Sequence, residues 1–109
     1  MMQAELEINY IEPHIRLPCK IVGLDYSYNS VNTVELIFPF SVEEMLNLFE
    51  QCKQAYREII NDNNMVFGLF TAVLHLKDNT GTIQGYYYLD IKHYFVRLID
   101  EKTYVVLKC

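Results

Sequence analysis

Tryptophan is absent from the 109 residues, and glycine (four), proline (three) and cysteine (three) are sparse. So little glycine and proline excludes collagen-like chains and Pro/Gly-rich disorder, because nothing interrupts the apolar residues that must be buried. Cys19, Cys52 and Cys109 are odd in number and far apart, which makes no disulfide framework and suits a reducing, cytoplasmic setting. No apolar run reaches the about 18 residues that span a bilayer. The opening residues Met-Met-Gln-Ala-Glu-Leu-Glu also lack the basic start of a secretory signal, so no membrane role is expected. Cations are scarce as well. Nine Lys and Arg stand against fourteen Asp and Glu, a net charge of −5, and binding to nucleic acid, which depends on neutralising phosphates, is not expected.

What is present is apolar bulk: 51% hydrophobic residues, with nine Tyr and six Phe. That is enough for one domain, expected to span 1–109, to fold without metal or disulfide staples. The acidity is one-sided. Residues 1–64 hold ten acids and four bases, whereas residues 65–109 hold four acids and five bases, so a basic partner would be steered to the first part.

Alternation of apolar and polar residues predicts strands over Glu5–Ile11, Ile15–Tyr28 and Val31–Phe38. The second of these is expected to break near Pro18 and bulge near Gly23. Ser41-Val42-Glu43-Glu44 is a capping box, with the Ser41 hydroxyl placed to accept from the Glu44 amide and Glu44 placed to reach back. The helix it opens carries Val42, Met45, Phe49, Cys52, Tyr56 and Ile59 on one stripe and ends at the polar run Asn61-Asp62-Asn63-Asn64. Val66–Leu76 reads as a central strand apolar on both faces, and strands over Ile83–Leu89, His93–Ile99 and Tyr104–Lys108 complete an expected four-stranded meander. The fold class is therefore α+β: a mainly antiparallel, curved sheet of six to seven strands, ordered βββαββββ, with one amphipathic helix packed on one face.

A flat sheet of seven strands is about 30 Å wide, while one helix with its side chains covers about 10–12 Å. Three arrangements resolve the mismatch: the sheet curls on itself, two copies form a homodimer through a sheet face, or another protein supplies the cover.

No motif specifies a reaction. C-x-x-C and paired histidines at helical spacing are missing, so no metal or other cofactor is expected, and His14, His75 and His93 read as solvated or hydrogen-bonded. Cys52 falls on the buried helix stripe, and Ser41 is used as a cap. Glu43 and Glu44 favour the helix dipole, while Glu5 and Glu7 share the wet side of an edge-like strand. No catalytic residue is assigned, and the protein is expected not to be an enzyme. The remaining anomaly is Tyr86-Tyr87-Tyr88, in which alternation sends Tyr86 and Tyr88 to one side. Exposed tyrosines offer large contact area at low entropic cost, although cross-strand pairing within the sheet is the plainer account of them.

These features point to a small acidic protein that binds a protein partner, such as a basic nuclease or other effector, in the manner of inhibitors and immunity proteins. The comparison rests on size, acidity and absent catalytic machinery. Glu43, Glu50, Gln54 and Glu58 would steer the partner, with Tyr86 and Tyr88 adding contact area. The alternative is a small α+β enzyme or ligand-binding module whose pocket, between helix and sheet, is lined by Tyr56, His75 and Tyr87.

Overall fold

The computed structural model describes residues 1–8, 14–63 and 68–109, with helical residues 55–63 described by their backbone alone. The elements are β1 (Met2–Ile8), β2 (Ile15–Ser27), β3 (Ser30–Phe38), α1 (Val42–Asn63), β4 (Phe70–Lys77), β5 (Ile83–Ile91), β6 (His93–Ile99) and β7 (Lys102–Lys108). The strands form one sheet in the spatial order β5-β4-β1-β2-β3-β7-β6. Every pairing is antiparallel. The α+β class, the curved sheet and the order βββαββββ are those the sequence predicts.

Period-two patterning sets the inner face. Leu6 and Ile8 of β1, Leu17 and Cys19 of β2, Val34 and Leu36 of β3, Ala72 and Leu74 of β4, and Val105 and Leu107 of β7 all join one buried cluster. Their neighbours Glu5, Glu7, Arg16 and His75 face outward, because successive side chains on a strand alternate.

The helix starts where the cap places it. Ser41 Oγ accepts from the Glu44 amide at 3.1 Å, and the Ser41 carbonyl accepts from the Met45 amide at 3.0 Å. Met45, Phe49 and Cys52 are buried against the inner face of the sheet, while Glu43, Glu44, Asn47, Glu50, Gln51 and Gln54 are exposed. The stripe positions Tyr56 and Ile59 lie among side chains outside the described set.

Of the three arrangements that resolve the coverage mismatch, the sheet takes the first and curls. Tyr26 on β2 and Tyr87 on β5 have ring centroids 5.9 Å apart, although three strand steps separate them and a flat sheet would hold them about 14 Å apart. Two register shifts in the β2–β3 pairing, between Ile21 and Gly23 and between Asp25 and Tyr26, sharpen the bend. The first is the bulge expected at Gly23.

Several local expectations are corrected. The carboxyl half is not a meander: β4–β5 and β6–β7 are hairpins at opposite edges of the sheet. A single residue, Lys92, joins them, and its amide donates to the Lys108 carbonyl at 2.8 Å, which turns the chain away from β5. β1 then fills the free flank of β4, with Leu6 opposite Leu74 and Ile8 opposite Ala72. Glu5 and Glu7 therefore sit on an interior strand, not an edge.

β2 runs unbroken through Pro18, which lies on the outer face opposite Glu5 between the inward Leu17 and Cys19. The strand predicted over Val66–Leu76 begins at Phe70. Val66 and Phe67 lie outside the described residues, and Gly68 (φ +65°) and Leu69 precede the strand. On the outer face of β4 only Val73 is buried, beside exposed Thr71 and half-buried His75.

Candidate functional site

Two surfaces and one cavity gather the side chains with chemistry to offer. The first surface is the outer face of β5, β4, β1 and β2. Register places Glu7 opposite Arg16 on one side and Val73 on the other, and His75 between Glu5 and Tyr86. Arg16 binds both carboxylates: Nε donates to Glu7 Oε1 at 3.0 Å, Nη2 lies 2.9 Å from the same oxygen, and Nη1 lies 3.6 Å from Glu5 Oε2. Lys77 Nζ donates to Glu5 Oε1 at 2.5 Å. That hydrogen bond outweighs partial desolvation and holds the Glu5 carboxyl below its usual range.

His75 Nε2 is buried and lies 3.5 Å from Glu7 Oε1 without hydrogen-bond alignment; His14 Nδ1 is 3.7 Å from Glu7 Oε2. Glu5 is thus spent on Lys77 and Arg16, and Glu7 on Arg16. Among the described residues no group of three or more His, Cys, Asp or Glu side chains is placed to hold a metal.

Beside this network Tyr86 and Tyr88 stand out of the same face. They are 60% and 74% exposed and pack edge-to-face at 5.6 Å, with the Tyr86 ring 6.5 Å from the His75 ring. The predicted alternation holds, since Tyr87 points inward to Tyr26.

The second surface is the outward face of α1. Glu43, Glu44, Glu50 and Gln54 are exposed, and Lys53 is the one cation between Glu43 and Gln54. Lys53 Nζ is 4.0 Å from Glu50 Oε1, and the same oxygen accepts from the Tyr94 hydroxyl. Burial, then the Glu50 carboxylate, pushes the Tyr94 phenol well up. Glu50 is therefore partly committed to β6. The side chain of Glu58 lies outside the described residues.

The structure does not bring the two predicted groups together. The helix packs on the inner face of the sheet, whereas Tyr86 and Tyr88 project from the outer face. No hydrogen bond, ion pair or ring contact joins them among the described residues.

The cavity opens at the amino-terminal end of α1, with a volume of about 940 Å³. Its walls include Ile37, Phe38, Phe40, Val42 and Leu98, with Cys19 and Thr103 buried at its base and Lys20, Glu43 and Lys102 among the charged groups lining it. It is not the pocket expected from Tyr56, His75 and Tyr87: His75 and Tyr87 face opposite sides of the sheet, and the Tyr56 side chain is outside the described residues. Sequence reading missed both Phe40 and Leu98, and it missed Arg16 and Lys77 as partners of the two glutamates, because each depends on which distant strands pair.

The molecule so described is an α+β protein whose curled antiparallel sheet grips one helix. Comparison with protein-family models, with curated proteins and with solved structures finds no match to the chain. No helix among the described residues is long and apolar enough to cross a membrane.

Proposed function

We propose that this protein acts by binding a basic protein partner, such as a nuclease or other effector, as inhibitors and immunity proteins do. The observation that carries the reading is the exposed helix face from Glu43 to Gln54, where three carboxylates stand against one lysine. Clustered charge of one sign on a rigid element raises the association rate with an oppositely charged protein and makes it salt-dependent. Tyr86 and Tyr88, on the other side of the sheet wall, then belong to a separate contact surface rather than to the same one.

The test uses the protein as bait in its host, with captured proteins identified by mass spectrometry and their binding rates measured. Glu43→Lys with Glu44→Lys is the informative variant, because Glu50 is spared for its bond with Tyr94 and the cap uses only the Glu44 backbone. A basic protein should be captured, and the variant should slow its association about tenfold or more and flatten the salt dependence. Unchanged rates would dismiss the helix as the docking face, and capture of no basic protein would dismiss the reading.

The alternative, a ligand-binding module or small enzyme, rests on the cavity beneath the helix start. Saturable binding of an apolar fluorescent probe, abolished by filling the cavity with Leu98→Trp, is its expected signature. Binding that Leu98→Trp leaves intact would place the probe elsewhere and remove this support.

A further inference from the structure

β5 is an edge strand. Among the described residues its only ladder partner is β4, and no backbone hydrogen bond from Ile83–Asp90 reaches any other element. The amides and carbonyls directed away from β4 are therefore left for water. Natural edges are usually guarded against pairing by charged residues, proline or a covering element. The opposite edge, β6, has such guards: Arg97 lies within it, and α1 packs on it through Phe49 and Tyr94. β5 does not. Ile83-Gln84-Gly85-Tyr86-Tyr87-Tyr88-Leu89 holds no charge and no proline over seven residues, and three of them are tyrosines. A groove of about 450 Å³ separates this edge from Asn29, Ser30, Val31 and Cys109 of the same chain.

We propose that β5 pairs antiparallel with β5 of a second copy of this chain, across a two-fold axis, joining two curled sheets into one. The strand suits itself as partner. A two-fold axis sets a strand against its own reverse, so any charge near its centre would repel its mate, and here there is none. Centred on Tyr87, the pairing sets Tyr86 against the partner's Tyr88 on the outer face. Gly85, where an added Cβ would meet nothing within 4 Å, faces the partner's Leu89. The pairing gives two strongly exposed aromatic side chains a cover that the monomer lacks, and it is independent of the helix-face reading.

Sedimentation equilibrium or light scattering across a concentration series, combined with amide hydrogen exchange, tests it. The expected result is a monomer–dimer equilibrium in which alternate β5 amides gain protection as concentration rises. Tyr86→Lys with Tyr88→Lys changes only exposed outer positions and should weaken association about tenfold or more, through like-charged cross-strand pairs, with the thermal unfolding of the monomer preserved. A protein that stays monomeric to roughly millimolar concentration, well above ordinary specific affinities, overturns the proposal. A dimer indifferent to the two lysines, or one that protects no alternate β5 amides, overturns it equally by placing the contact elsewhere.

Discussion

Phe70 on β4 and Tyr94 on β6 bring their ring centroids within 6.2 Å of each other, although four strands lie between them in the sheet. Across five strand steps a flat sheet would separate them by about 24 Å. Phe49 of the helix lies against both, 5.3 Å from Phe70 and 5.0 Å from Tyr94. The curl and the helix therefore depend on each other: the helix ring fills the space that the approaching ends of the sheet leave.

Phe49→Ala removes that filling. It forfeits the transfer energy of a fully buried ring and leaves a void between two aromatic neighbours, so a loss of about 3–5 kcal/mol is expected. Denaturant unfolding of the variant measures it. A loss under about 1 kcal/mol would mean that the helix does not hold the sheet curled.

Acid should weaken the outer face before it weakens the core. Glu5 titrates below its ordinary value of 4.5 because Lys77 donates to its charged form. A carboxyl with a depressed folded pKa stabilises fully above the unfolded value. That contribution is lost as pH falls from about 4.5 through the lower folded value. Glu5→Gln should cost about 0.2–1 kcal/mol at neutral pH, the range of solvent-screened ion pairs, and should make the acid limb of a stability–pH profile shallower. An unchanged acid limb would place the acid sensitivity in other carboxylates.

Much of this could be read from short stretches of chain. The Ser41 cap, the buried stripe through Met45, Phe49 and Cys52, and the inward Leu6, Ile8, Val34 and Leu36 follow from repeats of 2 and 3.6 residues, which are local properties. Which strands lie side by side is not local. Glu7 meets Arg16 nine residues away, but Glu5 meets Lys77 across 72 positions, and nothing in either neighbourhood announces the second pairing. The same non-locality hid the split of the carboxyl half into two edges, since the single linker Lys92 reads as a tight turn between partners. It also hid the separation of the helix acids from Tyr86 and Tyr88, two groups that alternation and helical spacing each place correctly but only relative to their own element.

The thiols should react in a fixed order. Burial, reinforced by Glu5, pushes the Cys19 thiol up to about 12, and burial beside Asp90 pushes Cys109 up to about 11. Thiolate is the reactive form and burial suppresses it in both; Cys109 is the more accessible of the two, since Cys19 is buried and Cys109 only partly so. A thiol reagent followed by peptide mapping should label Cys109 first in the native protein and Cys19 only on unfolding. Early labelling of Cys19 would contradict its burial.

Gly68→Ala should destabilise for two reasons at one position. The residue sits at φ +65°, and an added Cβ would meet the Ile91 carbonyl oxygen at 2.8 Å and Asp90 Oδ1 at 2.6 Å. That crowding would disturb the 2.6 Å bond from the Leu69 amide to the Ile91 carbonyl. A loss of about 1–3 kcal/mol in thermal or denaturant unfolding is expected, and a neutral substitution would contradict the close approach.

The placement of β1 between β2 and β4 carries a consequence for synthesis. As the polypeptide leaves the ribosome, β2 can zip onto β1 at once, but the other flank stays open until residues 70–77 have emerged. Through that interval a growing chain displays Leu6 and Ile8 beside an unsatisfied backbone, which is when holding chaperones have most to bind and when stray pairing between neighbouring nascent chains is easiest.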